Sequence, residues 1–426
     1  MQPILNAIST AGLDIMDRVD FPRRDAILAP PPATLHPDVL ASLLARRPQG
    51  IYRHQARALE LVLRGDSVVL STATASGKSL VFMAAAAHHI LSEPGTKTLV
   101  LYPAKALIDD QFDRWREEVG SLGVVAERIH GGVPVASRQA LLHRAHVILM
   151  TPDVAHAWLL RDKLTQPFLR SLRLLVLDEA HQYEGAFGTH MAYLLRRLRA
   201  TSRIRQVIAT TATLGTPDRH IQTLTGLPVH HIGKDEDGAP SPGRAVLRVQ
   251  PVGDEAFTCK IKLARALRDD SGSRFLAFLD SRRSVAQVVI ALERLDKAKD
   301  EDDGELQHLI DGHKVLPYRA GYEESDRTAI QNALRHGQLS GVVSTSALEL
   351  GLDIGDMDVV ALMTSPPTMK SFGCRSSRST PNPRKIQHLS SKSRRHEGPS
   401  TVHSGRHTSY PMEAPREQIL QQASGS

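Results

Sequence analysis

Short apolar runs punctuate the chain at intervals that leave room for a helix between each pair. In the first half they are Ser67–Ser71, Thr98–Tyr102, Val147–Met150, Leu174–Leu177 and Gln206–Ala209. A second series follows at Arg274–Leu279, Lys314–Tyr318, Gly341–Ser344 and Asp358–Met363. The runs are four to six residues long, rich in Val, Ile and Leu, and do not alternate with polar positions. That pattern predicts strands buried on both faces, hence parallel sheets covered by helices. The chain is therefore expected to be α/β throughout its folded part.

The two series predict two domains, residues 49–232 and 258–366. Between them, residues 233–257 begin as a polar, Gly/Pro-rich stretch (GKDEDGAPSPG) and read as a linker. Residues 1–48 read as an adapter segment, with one short helix expected at Asp38–Arg46. Lys297–Glu305 reads as a charged loop. From residue 367 to 426 there are twelve Ser but only six Ile, Leu, Val or Phe, and no periodicity. Such a segment buries too little apolar area to offset an ordering entropy of about 1–2 kcal/mol per residue, so it is expected to be disordered.

Composition narrows the class. Of 426 residues, 41% are hydrophobic and 23% charged, which is globular. Two cysteines, Cys259 and Cys374, exclude a disulfide framework and a four-thiolate zinc site. No apolar run approaches 18 residues, and the start lacks a basic region followed by an apolar core, so a cytoplasmic protein without a membrane span is expected. The net charge of +7 resides in the last sixty residues, with ten Lys/Arg against three Asp/Glu. The remainder is balanced, so bulk charge does not mark the folded part as a nucleic-acid surface.

Two motifs carry chemistry. Ser71–Ser79 (STATASGKS) directly follows an apolar run. A strand that turns tightly into a helix gathers backbone N–H groups at the positive end of the helix dipole, where phosphates bind. Lys78 would reach the β- and γ-phosphates and Ser79 would hold Mg²⁺. The first glycine of the strict phosphate-loop pattern is absent, with Thr72 in its place. Leu174–His181 (LLVLDEAH) ends a second run with Asp178 and Glu179. Ligands of open α/β sheets bind outside the carboxyl ends of the strands, so both motifs should face one crevice. There Asp178 would hold Mg²⁺ and Glu179 would polarise the attacking water.

With these residues in order, the chain resembles a superfamily 2 helicase of the DEAD/DEAH-box type from about Tyr52 to Ile354. Tyr52–Gln55 looks like the adenine-reading Q motif, with Gln55 as base reader. Thr72–Ser79 is similar to motif I, so Thr74, Ala75, Ser76, Gly77, Lys78 and Ser79 are the implied nucleotide contacts, although Thr72 and Ala75 replace the usual Ala and Gly. Tyr102–Gln111 resembles motif Ia, Asp178–His181 motif II and Thr211–Thr213 motif III. In the second domain Phe278–Arg283 resembles motif IV, Tyr318–Arg327 the next block, and Ser344–Asp353 motif V, which adds Gly351 and Asp353 to the nucleotide side. The resemblance implies two RecA-like parallel-sheet domains, ATP and Mg²⁺ as ligands, and a backbone-reading groove. Pro103, Lys105, Gly132, Thr151, Arg282 and Thr345 are its candidate contacts. Lys105 and Arg282 read equally well as solvated surface charges. His181 is implied to link nucleotide and moving domain, whereas His88, His89, His130 and His190 read as packing or capping residues. The implied partner is single-stranded or partly duplex DNA, with RNA left open. The segments TATASGKSL, DEAHQYEGAFGTH, YRAGY and ALELGLDIG resemble bacterial relatives of the RecQ4-like DNA-repair helicases, which carry a C-terminal zinc-binding domain.

The family text stops near Phe372. No Q-x-x-G-R-x-G-R motif VI occurs, and no cysteine cluster follows. An arginine finger from that motif is worth roughly 10³–10⁵ in rate, or about 4–7 kcal/mol. The second domain is therefore expected to be incomplete, with an unpaired sheet edge, and hydrolysis and unwinding to be impaired. The abrupt change suggests an out-of-frame ending. The other readings are a nucleotide- and nucleic-acid-binding remnant without useful turnover, and an RNA helicase.

Overall fold

The computed structural model describes residues 2–211, 214–241, 243–253, 255–269, 273–296, 314–318, 324–345, 357–364 and 388–391. The strands in chain order begin with β1 (Leu13–Phe21), β2 (Leu28–Ala29) and β3 (Ile51–Tyr52). Then come β4 (Val68–Leu70), β5 (Lys97–Leu101), β6 (Ala126–Ile129), β7 (Val147–Met150), β8 (Leu172–Leu177), β9 (Gln206–Thr210) and β10 (His230–Ile232). The last group is β11 (Arg244–Pro251), β12 (Phe275–Phe278), β13 (Val315–Tyr318), β14 (Gly341–Ser344), β15 (Val359–Leu362) and β16 (His388–Ser391).

The first sheet has seven parallel strands in the order β10-β4-β9-β8-β5-β7-β6. Its strands alternate faces with period two, and both faces are apolar. Leu174 and Val176 of β8 pack with Phe82, Ile108 and Trp115 of the helices Ser79–Ser92 and Lys105–Val119. Leu175 and Leu177 pack with Leu194, Leu195 and Leu198 of the helix Gly185–Thr201 on the other face. Ala84–Ala87 are all buried, and their small side chains let the helix Ser79–Ser92 lie close to the sheet. The register brings Leu70 level with Thr210, and Ala209, Leu177, Leu101, Met150 and Ile129 level with one another, so the strand ends agree to within one residue and every loop that follows leaves from one edge.

The second sheet also has seven strands, β1-β11-β16-β15-β12-β14-β13. All neighbours are parallel except β1 and β11. One face holds Phe275, Ala277, Val343, Val359 and Ala361 with Leu263, Val285 and Val288. The other holds Leu276, Phe278, Val342, Val360 and Leu362 with Ile330 and Leu334.

Three expectations change. The segment 1–48 is not one adapter: Ile4, Ala7, Ile8 and Leu13 enter the second core and β1 pairs with β11, whereas the helix Pro37–Arg46 packs Val39 and Leu43 into the first core. The stretch 233–257 is only partly a linker, because β11 is a strand of the second sheet and the helix Ala256–Asp269 begins inside it. In the tail, His388–Ser391 forms β16 between β15 and β11. The backbone groups of two neighbouring strands specify that pairing, so an apolar signature in β16 itself is not needed. The strand beside β15 that an incomplete domain would lack is thus supplied from the tail, and the edge beyond it from the N-terminal segment.

Candidate nucleotide-binding site

The nucleotide motifs occupy one half of the carboxyl edge of the first sheet. The loop after β4 and the acidic pair after β8 are separated by a single strand, β9, so they lie about 10 Å apart at their bases. The loop curls over that gap into the helix Ser79–Ser92. Ser71 N–H donates to Ile232 O (2.9 Å), Thr211 N–H to Leu70 O (2.9 Å) and Asp178 N–H to Leu101 O (3.1 Å), which extends the ladders to the site's floor.

The loop is braced from within. Thr72 Oγ1 and Ser76 Oγ share a buried hydrogen bond of 2.8 Å, so the side chain standing where a glycine is usual has become a brace. Lys78 Nζ donates to Thr72 O (3.0 Å) and Ala73 O (2.7 Å). Gln55 Nε2 donates to Gly77 O (2.8 Å), while its Oε1 accepts from Tyr52 N–H (2.9 Å). The structure thus places Gln55 as a clamp on the loop. Gly77 is required there: its φ is +77° and a Cβ would approach Gln55 Nε2 to 2.6 Å. Among the described residues, no protein acceptor takes the amides of Thr74, Ala75, Gly77 or Lys78. With the ammonium of Lys78 they form a cradle of donors suited to a polyphosphate.

The acidic pair is held as firmly. Asp178 Oδ1 accepts from Thr210 Oγ1 and from Glu179 N–H (3.0 Å). Glu179 has left-handed backbone, φ 50° and ψ 43°, and its Oε2 lies 3.2 Å from Nδ1 of the buried His181. Gln182 Nε2 sits 2.9 Å from His181 Nε2. Ala75, at φ 61°, and Glu179 are the non-glycine residues with positive φ among the described residues. Both lie in this site, where strain of about 1–2 kcal/mol each is held by the surrounding sheet.

The electrostatics tie the halves together. Burial, with the neighbouring Glu179 charge, pushes Asp178 up to about 6, against the pull of Thr210, the Glu179 amide and Lys78. Burial pushes Lys78 below the usual ammonium range, while Glu179, Asp178 and Asp237 hold it up. The ammonium and both carboxylates therefore share one field, and a divalent cation beside Asp178 would relieve the like-charge pair.

The candidate nucleic-acid contacts leave the same edge from the other half of the sheet. Pro103 and exposed Lys105 follow β5, Gly132 follows β6 and Thr151 follows β7. Gly132 N–H donates to His130 Nδ1 (3.1 Å), and a Cβ on Gly132 would lie 3.5 Å from Lys105 Nζ, so the two turns meet. On the second sheet, exposed Arg282 begins the helix Arg282–Asp296 after β12, and half-buried Thr345 follows β14. Leu279 N–H donates to Ser344 O (2.9 Å), so those strand ends are adjacent. Gly351 and Asp353, and Ala212 and Thr213 of motif III, lie outside the described residues.

Two contributors escaped the sequence reading. Thr210 orients Asp178, and the only signal for it was a hydroxyl at the end of an apolar run. Asp237, in the polar stretch after β10, accepts a hydrogen bond from Ala73 N–H in the loop (3.1 Å) across 164 positions, for which no local pattern exists.

The known-protein comparisons agree with this layout. Residues 52–220 match the DEAD/DEAH box helicase family and residues 259–389 the helicase conserved C-terminal domain. The second match runs past Phe372, where the recognisable motif text ends, and reaches β16. The chain belongs to the DEAD/DEAH box helicase family, and the relatives it matches are named ATP-dependent helicases. It is 31% identical to the uncharacterized ATP-dependent helicase YprA of Bacillus subtilis, over 82% of this chain and 47% of that protein. It is 30% identical to ATP-dependent helicase HRQ1 of Saccharomyces cerevisiae, over 78% of this chain and 32% of that protein. Among solved structures it resembles DUF1998 helicase MrfA bound to DNA and AMPPNP, with a TM-score of 0.81, 26% identity, and coverage of 92% of this chain and 55% of that one. The chain thus spans about half of the first of these relatives and about a third of the second.

Proposed function

We propose that the chain is the motor portion of an ATP-dependent DNA helicase or translocase, related to DNA repair and acting in the cytoplasm. The observation that carries this is the convergence of Lys78, Asp178 and Glu179 on one strained edge whose loop amides have no acceptor among the described residues. ATP bound there supplies a hydrolysable anhydride and the free energy of its cleavage. The residues present fit it. The loop amides and Lys78 neutralise phosphate oxygens, and Ser79 and Asp178 present oxygens to Mg²⁺. Glu179, turned by its left-handed backbone and flanked by His181, takes the proton of the attacking water. Lys105, Thr151 and Gly132 leave the same edge one, two and three strands beyond β8 and engage the sugar-phosphate backbone, so strand position and nucleotide state share one rigid sheet. DNA is preferred because the MrfA structure of similar fold has DNA bound. No helix among the described residues is long and apolar enough to cross a membrane.

A second reading is a nucleotide- and nucleic-acid-binding protein with weak turnover. It rests on the absence of a Q-x-x-G-R-x-G-R segment from the sequence. ATP hydrolysis measured with single-stranded DNA, with single-stranded RNA and with neither separates these readings. DNA-stimulated turnover that vanishes in Lys78→Ala supports the motor. Nucleotide binding without turnover supports the weaker reading, and stronger stimulation by RNA reassigns the polymer. Glu179→Gln should keep nucleotide affinity and lose hydrolysis; unchanged turnover removes Glu179 from its role.

A further inference from the structure

The pairing of β1 with β11 does not end where those strands leave the second sheet. It runs from Leu13 opposite Pro251 to Phe21 opposite Arg244, then resumes at Arg24 and Ser241, which exchange two backbone hydrogen bonds of 2.8 Å. Ile27 N–H donates to Gly238 O (2.9 Å) one step further. The result is a two-stranded ribbon. At one end Leu13, Leu247 and Val249 are buried in the second core. At the other end it closes on the first lobe, at the start of the helix Arg53–Leu63, where Ile27 O accepts from Arg53 N–H (2.9 Å) and Arg53 Nη2 donates to Asp235 O (2.7 Å). A Cβ on Gly238 would approach Ile27 O to 2.5 Å and Arg53 N to 2.7 Å, so the two backbones touch.

Asp237 sits at that tip and is 3% exposed. Its Oδ1 accepts from Ala239 N–H (2.9 Å) and its Oδ2 from Ala73 N–H (3.1 Å). Arg24 Nη2, from the opposite strand of the ribbon, lies 3.3 Å from Oδ2 and also donates to Ala239 O (3.0 Å). His54, next to the clamp Gln55, places Nδ1 3.4 Å from Oδ1 and accepts there from Gly238 N–H (3.2 Å). Ala73 is the pivot: the carboxylate holds its N–H and its carbonyl holds Lys78 Nζ. Displacing Asp237 therefore displaces the anchor of the lysine that meets phosphate.

Resting on the nucleotide-site reading above, we propose that Asp237, with Arg24, is a positioning residue that couples the phosphate loop to the second lobe through this ribbon. Nucleotide that draws Lys78 off Ala73 O loosens the tip, and movement of the second lobe pulls on the same peptide. A buried carboxylate serving only to cap a turn would affect stability and nothing else.

The test is reciprocal binding, which needs no hydrolysis. The affinity of the full chain for a fluorescent oligo-dT strand is measured with and without AMPPNP, beside the affinity for AMPPNP alone and the thermal midpoint. Wild type should show an AMPPNP-dependent change in DNA affinity of about tenfold, inside the usual 5–150-fold range of coupled sites. Asp237→Asn keeps the shape but turns one accepting oxygen into a donor facing an N–H, and Arg24→Gln attacks the pair from the other strand. Each should shrink the change at least threefold, with DNA affinity in the absence of nucleotide within twofold of wild type. Variants that keep the wild-type change, or lose it only through a lower midpoint, overturn the coupling role and leave the motor reading standing. A wild type with no AMPPNP-dependent change, or a Lys78→Ala variant that retains it, overturns the motor reading and the coupling with it.

Discussion

Replacing Asp178 by Asn should stabilise the ligand-free protein while destroying its turnover. The amide is nearly isosteric, and its Oδ1 still accepts from Thr210 and from Glu179 N–H. What disappears is a carboxylate whose pKa stands at about 6 in the folded chain, driven first by burial and next by Glu179, against about 3.9 for an unfolded Asp. A carboxyl group raised on folding contributes its full stabilisation below the unfolded value and loses it as pH rises through the folded one. At pH 7.5 wild type therefore carries a penalty of roughly 3 kcal/mol at this position. Water at the open side of the half-buried carboxylate reduces this to about 1.5 kcal/mol. That corresponds to a rise in the unfolding midpoint of about 3–6 °C for a lobe of this size. Thermal unfolding without Mg²⁺ or nucleotide at several pH values is the assay. The gap between variant and wild type should shrink below pH 6 and nearly close at pH 4. With saturating MgATP the order should reverse, because ligand at a hundred times its dissociation constant adds about 2.7 kcal/mol to wild type alone. A variant less stable than wild type at pH 7.5, or a gap that ignores pH, would refute the reasoning.

Two further predictions concern backbone and packing. Ala75→Gly should relieve the left-handed φ of 61° and leave nucleotide affinity intact, whereas Ala75→Val, β-branched in that region, should weaken AMPPNP binding at least tenfold in a titration. Gly341→Ala would place a Cβ 2.4 Å from the Phe275 ring, where β14 pairs with β12 in the second sheet. Urea unfolding should show a loss of about 2–3 kcal/mol, partly recovered by adding Phe275→Leu.

The strands buried on both faces were legible because such burial leaves no place for a polar side chain. β7 and β14 match their apolar runs to the residue, and β4, β5, β8, β9, β12, β13 and β15 lie within two positions of theirs. Other strands were not legible, for physical reasons. β6 contains Glu127 and Arg128, which an edge position tolerates at partial exposure. β1 is exposed along most of its length after Leu13, so its text (LDIMDRVDF) mixes polar and apolar positions without a buried run. β16 (HLSS) carries almost no apolar signal, and its pairing is dictated by the backbones on either side. At the site, Lys78, Asp178 and Glu179 were readable because each lies at the end of an apolar run. Gln55 was readable as a site residue, yet its geometry is that of a clamp on Gly77. Asp237 and Arg24 were unreadable, since nothing in GKDEDG distinguishes the one carboxylate that turns inward.

The distribution of regularity and strain explains why the motor chemistry sits where it does. Register in a sheet buried on both faces is fixed to the residue, because a slip by one exchanges every side chain between the Phe82 and Leu194 cores. The strand ends of the first sheet, level to within one residue, are therefore a rigid row. Only on such a base can a left-handed Ala75, a left-handed Glu179, a half-buried lysine and two adjacent carboxylates persist together. Each of these is unfavourable alone, and each becomes less so when phosphate oxygens and a divalent cation enter between them. The ligand-free site thus holds free energy that its ligand releases. The residues through which that release would travel are those the loop already grips: Thr72 and Ala73 by their carbonyls, Gly77 through Gln55, and Asp237 at the tip of the ribbon.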